Sequence, residues 1–580
     1  MTCRRTRRPA VPATTMLPLH RVRPGNDARL HREGVPMRLT SERTRPRTRR
    51  VAIVAAAVAV ALVAAACGSS GSSGGSATVT LDASHPNGGD PAQEGTPVDG
   101  GTLTVGSYTE SRSYDPTVGS NLVASAIYDS LLKTDASGTP QPFLAQSMDT
   151  PDQGRTWIMK LRPNVRFHDG TPLDADAVIF NVKRQQDKPT ALGHLYTTPI
   201  AAMTAVDPLT VRFDLKEPVG SFPVVFALPF GSGNLGTIAS PTAVNKWGAD
   251  YGRHPIGAGP FVFVDWVPND KATVKRNDDY WQPGLPHLDG IVFRPLSDTE
   301  TRYASVVNGD IDLDIAGFHT EVYRASQDKN LKVYFGPGGD GEFLYFNVNK
   351  APFDDPRMRE AIIRSIDPKA LSATQYQNTM NQAVTAFAQG DPNYSEKAAQ
   401  EWPAYDPEKA KQLIADYKVS GGNPNFTFSD ANAPNNIQFA TFLQAQWAAV
   451  GIDVNLKFDD LATLVTTVVQ GGQFQMVHWI SGPYENPYPF MFNQFHSGGI
   501  NNYGRYSNPQ VDAALEEAAA TTDPEARAGA YQRAQELING DMAVVWLSRA
   551  YKAAITQPQV RGVQRYLSSE IFWGSIWLAT

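Results

Sequence analysis

The stretch of residues 157–184 constrains the fold most, because it joins a predicted strand to a predicted helix through two turns. Trp157, Met159 and Leu161 alternate with other residues, which predicts a strand with one buried face. A Pro-Asn pair and an Asp-Gly pair then predict turns, and Asp174 is placed to cap a helix. The helix would bury four apolar side chains: Ala175, Val178, Ile179 and Val182.

The whole chain is too long for a single hydrophobic core, and its charge is unevenly distributed. It has 580 residues, of which 41% are hydrophobic, as in a globular protein. Residues 1–66 hold 14 arginines and 3 acids, and the remainder holds 38 basic and 55 acidic residues, a net charge of −17. An acidic body of this size argues against nucleic acid as a partner. The arginines are interpreted as part of a targeting segment.

The targeting segment is predicted from residues 43–66. Five arginines between Arg43 and Arg50 precede an uncharged apolar run from Val51 to Ala66. As a helix this run would be about 24 Å long, shorter than the roughly 30 Å hydrocarbon core of a bilayer. A signal peptide is therefore favoured over a membrane span, with residues 1–36 as an extension and Met37 as the predicted start. The Arg-Arg pair at 49–50 leaves export by the twin-arginine route open.

Cys67 follows the apolar run directly and precedes a Gly/Ser tract. Residues 62–67, Leu-Val-Ala-Ala-Ala-Cys, resemble a bacterial lipobox, although Ala64 stands where leucine is usual. This resemblance implies that Cys67 is lipidated and becomes the new N-terminus. Residues 68–101 are predicted to be a flexible tether with a root-mean-square length of about 30 Å. The other cysteine, Cys3, precedes Met37, so the mature chain would have no internal disulfide.

Four blocks of the body resemble one family. Residues 157–184 form one block, and the sequence GGTLTVGSYTESRSYDPT, which begins at Gly100, forms another. The third is PIGAGPFVFVDWVPNDKATVKRNDDYW at 255–281, and the fourth is FNVNKAPFDDPRMREAI at 346–362. Together they resemble the extracellular solute-binding proteins of family 5, the peptide, nickel and oligopeptide receptors of ABC importers. The resemblance spans roughly residues 100–580.

The resemblance implies a two-lobed α/β fold of the periplasmic-binding-protein type (type II, cluster C) with an extra inserted domain. The predicted division of the chain is 1–66 N-terminal extension and signal peptide, 67–101 lipidated cysteine and linker, 102–140 first part of lobe I, 141–254 inserted domain, 255–335 second part of lobe I, 336–540 lobe II, and 541–580 C-terminal part of lobe I. The implied partners are a peptide or small-molecule ligand and ABC permease subunits. The implied state is a monomer without a cofactor, anchored by lipid on the extracytoplasmic face of the cell membrane.

Paired Asp-Pro or Asn-Pro residues predict the starts of four helices. These pairs are Asp355-Pro356, Asp406-Pro407, Asn508-Pro509 and Asp523-Pro524. Gly336, Gly338 and Gly341 match GxGxxG, but a strand is predicted to follow, whereas a dinucleotide site needs a helix N-terminus there. The match is therefore interpreted as accidental.

No catalytic constellation is found in the sequence. The chain contains no GxSxG, HExxH, P-loop lysine motif or CxxC. Catalytic residues, metal ligands and enzyme activity are therefore not predicted. His478, beside Trp479, is the one histidine singled out as worth testing for metal.

The ligand is expected near residues 478–490, HWISGPYENPYPF, where an apolar strand gives way to a loop rich in Gly, Pro and aromatic residues. In peptide-binding members of the family, a tryptophan here is followed three residues later by an aspartate that pairs with the peptide α-ammonium group. Trp479 matches the tryptophan, but Gly482 occupies the aspartate position. Glu485 is the nearest acid. A core role for Trp479 and a solvated position for Glu485 remain open alternatives.

The predicted ligand-binding residues also include the loop after the first strand of the body. The full set is Tyr108, Ser111, Tyr114, Phe346, Trp479, Ser481, Tyr484 and Glu485. Because Gly482 carries no charge and the nearby aromatic residues offer stacking faces, the site is expected to prefer a ligand without a free α-amine at this point. A capped peptide or a glycoside would fit, unless Glu485 replaces the missing aspartate.

Three functions remain to be compared. The first is a lipid-anchored binding protein that delivers a solute to an ABC permease, and the second is a sensor or adhesin with the same fold. The third, a secreted hydrolase, is disfavoured by the missing nucleophile motifs. A permease and an ATPase encoded nearby would separate the first two.

Overall fold

The computed structural model describes most of the body of the chain. The described residues are 94–119, 122–135, 138–317, 319–482, 484, 487–566 and 570–579, with residues 335–339, 565 and 566 described by backbone alone. The expectations for the signal peptide, Met37, Cys67 and Glu485 lie outside the described residues. No helix in the described ranges is both long and apolar enough to cross a membrane.

The secondary structure of the described residues alternates between strands and helices. Strands β1 to β20 are Thr102–Ser107, Leu132–Thr134, Pro140–Pro142, Ala145–Asp149, Thr156–Leu161, Ile200–Asp207, Thr210–Leu215, Phe261–Val267, Lys271–Arg276, Gly290–Pro295, Leu313–Ala316, Lys332–Phe346, Phe426–Ala431, Val454–Asp459, Met476–Ile480, Val544–Thr556, Val560–Arg561, Arg565–Tyr566, Glu570–Ile571 and Trp577–Leu578. Helices α1 to α14 are Ala124–Ile127, Ala175–Asp187, Pro241–Trp247, Thr299–Asn308, His319–Ser326, Pro356–Ser365, Pro368–Gln375, Glu396–Gln400, Pro407–Val419, Pro434–Ala449, Leu461–Thr463, Pro487–Phe495, Pro509–Ala520 and Pro524–Gly540.

Ten strands form one sheet in the order β14-β13-β15-β12-β16-β11-β1-β10-β9-β8. Strands β12 and β16 have 15 and 13 residues and pair with each other in antiparallel fashion. The end of β16 also pairs with β11 in lobe I, and the end of β12 also pairs with β15 in lobe II. These two strands, called here the crossing strands, therefore connect the lobes. Their register shifts between Pro337 and Gly341 and again between Glu342 and Phe343.

Lobe II has a hydrophobic core on each face of its part of the sheet. Leu344 and Phe346 of β12 belong to one core, and Phe343 and Tyr345 belong to the other. Successive side chains of a strand point to opposite faces, so β12 is buried from both sides. Strands β13, β14 and β15 are parallel to one another, as expected for an α/β lobe whose sheet is covered by helices.

A separate four-stranded antiparallel sheet, β4-β5-β7-β6, contains the opening stretch of the sequence analysis. Trp157, Met159 and Leu161 of β5 are buried, as predicted from their alternation. Helix α2 begins where it was predicted, and the carboxylate of Asp174 accepts a hydrogen bond from the backbone N–H of Ala177 at 2.9 Å. The sheet lies within the predicted inserted domain, residues 141–254, whose boundaries stay a prediction.

The four helix starts predicted from Asp-Pro and Asn-Pro pairs are confirmed. In each case the side chain before the proline accepts a hydrogen bond from a backbone N–H of the first turn: Asp355 before α6, Asp406 before α9, Asn508 before α13 and Asp523 before α14. The GxGxxG match lies within strand β12, so it does not form the glycine-rich turn of a dinucleotide site.

Candidate ligand-binding cleft

The cleft is located by Tyr108, the residue that follows strand β1 at the end facing lobe II. Its side chain is 57% exposed, yet desolvation and the nearby charge of Glu570 raise the pKa of its phenol. Tyr108 is therefore exposed to solvent but has several charged residues nearby. Asp340 and Lys552 of the crossing strands are charged neighbours of Tyr108, and they pair at 3.2 Å. The end of β1 therefore lies near charged residues of the crossing strands, and we call this polar surface the candidate cleft.

Two other predicted residues of this loop lie inside lobe I. The hydroxyl of Ser111 donates to the backbone carbonyl of Ser113 at 2.7 Å. The ring of Tyr114 is buried and packs edge-on against Trp266 with centroids 5.1 Å apart. The structure thus brings Tyr108 to the cleft and places Ser111 and Tyr114 behind it. Their part in ligand binding stays a prediction.

The predicted residues of lobe II are also divided between the cleft and the core. Phe346 is fully buried and packs against Phe353, with ring centroids 4.8 Å apart. Tyr484 is buried and donates a hydrogen bond to the side chain of Gln494. Trp479 is half-buried, with its ring 6.2 Å from that of Tyr503. Of these three aromatic side chains, Trp479 is therefore the most exposed to solvent.

Strand β15 ends at the cleft beside the crossing strands. Ile480, its last residue, is 65% exposed, and Ser481 donates its backbone N–H to the carbonyl of Gly341 at 2.8 Å. An added Cβ at Gly482 would lie 2.9 Å from Cβ of Phe490. A side chain at position 482 would therefore collide with Phe490, so this backbone cannot carry an aspartate there without rearrangement.

A polar cluster at this end of β12 and β15 was not found as a unit from the sequence. His478 Nδ1 lies 3.1 Å from Asp430 Oδ2, and His478 Nε2 lies 3.9 Å from Glu342 Oε1. We call Asp430, His478 and Glu342 the His478 cluster. Desolvation acts to lower the pKa of His478, but the hydrogen bond and charge of Asp430, together with the charge of Glu342, raise it overall. Among the described residues, no group of three His, Cys, Asp or Glu is arranged to hold a metal ion.

Glu342 links several elements at the point where the crossing strands change register. Its Oε2 accepts hydrogen bonds from the hydroxyl of Tyr376 and, at 2.9 Å, from that of Ser548. The ring of Tyr376 lies 5.3 Å from that of His319, which belongs to α5 in lobe I. Glu342 is therefore held by Tyr376 of lobe II and by Ser548 of the crossing strand β16, at a place that borders lobe I.

The predicted inserted domain touches lobe II through helix α13, at a place we call the α13 contact. Gly220 N donates to Ala520 O at 3.0 Å, and Ser221 N donates to Ala519 O at 3.2 Å. These carbonyls belong to the last turn of the helix, which leaves them without partners inside the helix. An added Cβ at Gly220 would lie 2.2 Å from the carbonyl oxygen of Thr521. The close approach therefore requires glycine.

Comparisons with known proteins agree on one family. Residues 139–502 match the family model described as bacterial extracellular solute-binding proteins, family 5 middle. The glutathione-binding protein GsiB of Shigella flexneri is 31% identical over 430 residues, which cover 72% of this chain and 82% of that protein.

Two solved structures share the fold. One is the periplasmic binding protein DppA of Helicobacter pylori in complex with the peptide STSA, with a TM-score of 0.70, 23% identity, and coverage of 83% of this chain and 99% of that one. The other is the binding protein AgaA of A. tumefaciens R10 in complex with agropinic acid, with a TM-score of 0.71, 23% identity and the same coverage.

Proposed function

Because the chain belongs to the bacterial extracellular solute-binding proteins of family 5, we propose that it is a lipid-anchored receptor that delivers a solute to an ABC import permease. The solute is a peptide or a similar polar organic molecule. The observation that supports this proposal, beside the family, is the polar surface where the end of β1 meets the crossing strands, which has an exposed tyrosine and several charged groups. Clefts between lobes that join through a few strands suit capture of a ligand by closure.

Lipid anchoring through Cys67 is supported by the sequence. Replacing Cys67 with serine should release the protein from the membrane or leave its signal peptide uncleaved. Fractionation of cells followed by mass spectrometry of the N-terminus measures both outcomes. A Cys67→Ser variant that is processed normally and still sediments with the membrane would disprove the lipid anchor. The proposed binding function would be unaffected by that result.

Closure of the lobes on the ligand is the central test of the binding function. A ligand that contacts both lobes favours the closed arrangement, so a saturating ligand should reduce the radius of gyration in small-angle scattering. Glutathione and short peptides are the first probes, since relatives are described as binding them. Scattering profiles that stay the same at saturation would indicate a rigid binder.

Gly220→Val provides a variant that acts on closure without touching the cleft. The valine side chain would collide with backbone atoms of Thr521, and such overpacking costs about 1–3 kcal/mol. The affinity for ligand should fall about tenfold, while the unfolding midpoint changes little. Gly540→Ala is the matched control, because no atom lies within 4 Å of an added Cβ there. Equal affinities in both variants would show that the α13 contact plays no part in closure.

The ligand is proposed to lack a free α-amine at the loop that follows β15. Gly482 carries no charge, and Phe490 lies too close for a charged side chain to replace the glycine without rearrangement. Calorimetry with short free peptides and their N-acetylated forms tests this directly. Micromolar binding of the free peptides, lost on acetylation and lost in Glu485→Gln, would refute the preference and establish Glu485 as the substitute.

A further inference from the structure

Glu342 has one carboxylate oxygen fixed by the protein and the other left open. Oε2 accepts the hydrogen bonds of Tyr376 and Ser548, so the orientation of the carboxylate is set before any ligand arrives. Oε1 receives no hydrogen bond from any residue in the described part of the chain, and its nearest cation is His478 Nε2 at 3.9 Å. The structural role of the side chain is therefore complete with one oxygen, and the second is available.

The open oxygen lies at the edge of the cleft. The side chain of Glu342 is 34% exposed, and its register partner on β15 is the exposed Ile480. Two residues earlier on the same strand, Asp340 pairs with Lys552 beside Tyr108. Glu342 thus belongs to the same polar surface as Tyr108, although it lies in the register shift between the lobes.

The charges around this surface do not cancel. The His478 cluster contains two carboxylates and one imidazole, so it is negative even when His478 is protonated. The Asp340–Lys552 pair is neutral as a unit. Glu570, close to Lys552, adds a carboxyl whose pKa desolvation raises to about 7. An excess of negative charge at a cleft attracts cationic groups.

We propose that Glu342 selects the ligand by binding a cationic group of the solute, an ammonium or a guanidinium, through Oε1. The inference rests on the proposed function and names the ligand class: a polar organic solute with a positive charge placed at the crossing strands, away from the loop at Gly482. Closure of the lobes excludes water from the cleft, which strengthens a charge pair that is weak in solvent. A carboxylate held by two hydrogen bonds loses little freedom when it binds the cation.

The test compares solutes that differ only in charge. The probes are N-acetyl-Ala-Lys-amide, N-acetyl-Ala-Gln-amide and N-acetyl-Ala-Glu-amide, together with the uncapped peptides Ala-Lys, Ala-Gln and Ala-Glu, measured by calorimetry. The wild-type protein should bind the lysine probes at least tenfold more tightly than the glutamine and glutamate probes. Glu342→Gln should remove that preference and leave the affinity for the neutral probes within about threefold, whereas Glu342→Asp should keep part of it.

Glu516→Gln is the matched control, because Glu516 also pairs with a histidine, His496 at 3.1 Å, but lies on helix α13 with an exposed side chain. Circular dichroism and melting curves establish that each variant is folded. The inference is overturned if Glu342→Gln loses affinity equally for all probes, or if the wild type binds the lysine probes no more tightly than the others.

Mass spectrometry of the ligand retained by gently purified protein separates this inference from the proposed function. A retained solute with an ammonium or guanidinium group supports both. A retained solute without a cationic group overturns the role of Glu342 and leaves the proposed function standing. A protein that retains no solute and binds none of the probes counts against both.

Discussion

Each lobe contains one cation between two carboxylates, but the two clusters differ in burial. In lobe I, Arg302 Nε lies 2.5 Å from Asp314 Oδ1 and Arg302 Nη2 lies 3.3 Å from Glu321 Oε1, and all three side chains are at most 1% exposed. We call these residues the Arg302 cluster. The corresponding distances in the His478 cluster are 3.1 and 3.9 Å, and one of its acids, Glu342, is 34% exposed. A closed cluster can only stabilise the fold, whereas an open one can also bind a ligand.

The protonation of the two clusters follows from this difference. Desolvation, and then the charge of Asp314, raise the pKa of Glu321 to about 8, and desolvation also raises the pKa of Asp314. At neutral pH the two acids of the Arg302 cluster therefore share a proton, and one negative charge remains to balance the arginine. In the His478 cluster, the hydrogen bond and charge of Asp430 raise the pKa of the histidine, so this cluster favours a proton on the imidazole.

Arg302→Met should have the largest effect on stability, because it leaves an uncompensated carboxylate in the core. Loss of one partner from a buried ion pair costs about 3–5 kcal/mol of unfolding free energy. Glu342→Gln should cost no more than about 1 kcal/mol, since the amide oxygen still accepts hydrogen bonds. Urea denaturation of both variants measures the difference. Similar losses in the two would show that burial does not separate the clusters.

Glu321→Gln should change the pH dependence of stability. The folded pKa of Glu321, about 8, lies above its ordinary value of 4.5, so the folded state binds this proton more tightly than the unfolded state. The stabilising contribution is complete below about pH 4.5 and is lost as the pH rises towards 8. The variant has no such proton. Its free energy of unfolding should therefore rise relative to that of the wild type by at most about 1.4 kcal/mol per pH unit in this window.

Denaturation curves at pH 5, 6, 7 and 8 test this prediction, and Glu342→Gln is the control for the open cluster. The free energy of unfolding of Glu321→Gln should rise relative to that of the wild type as the pH increases. The corresponding difference for Glu342→Gln should show no such increase with pH. Parallel curves for Glu321→Gln and the wild type would mean that Glu321 is already ionised at pH 5.

The sequence predicts local structure well where one residue type has one physical role. Asp174 caps α2, and the alternating residues of β5 are buried as expected. The region after β1 is less predictable, since α1 ends at Ile127 and Leu132 begins strand β2, which pairs with β3. Pairing with a strand that follows later in the chain is a tertiary effect that local patterns do not show.

The candidate site was less predictable because its residues come together only in the folded chain. Asp430, His478 and Glu342 lie on three different strands. Glu342 directly follows the GxGxxG match, which carries no sign of a binding residue by itself. Tyr108 was predicted from its position after the first strand and lies in the cleft, whereas the buried positions of Tyr484 and Phe346 depend on packing that the sequence does not specify.

His478→Gln should have a distinct effect on binding. The groups that face the imidazole are Asp430 on β13 and Glu342 on β12, while Asn436 and Phe439 of α10 carry no charge. Below its raised pKa, His478 is an imidazolium that offsets the charge of Glu342; above it, that offset is lost. The affinity of the wild type for N-acetyl-Ala-Lys-amide should therefore rise severalfold with pH above the ordinary histidine value of 6.5.

Calorimetry between pH 6 and pH 9 measures this rise. The uncharged glutamine probe is the control, because its binding does not depend on a charge pair with Glu342. A glutamine at position 478 does not titrate, so the profile of His478→Gln should be flat and its affinity for the lysine probe close to the high-pH value of the wild type. Its unfolding free energy should fall by about 1.5–3 kcal/mol, the worth of a hydrogen bond to a charged group, because Asp430 loses its buried partner. The same pH profile in wild type and variant would assign the titration to another group, Glu570 being the nearest candidate because its pKa is raised to about 7. The His478 cluster would then resemble the Arg302 cluster in having only a structural role.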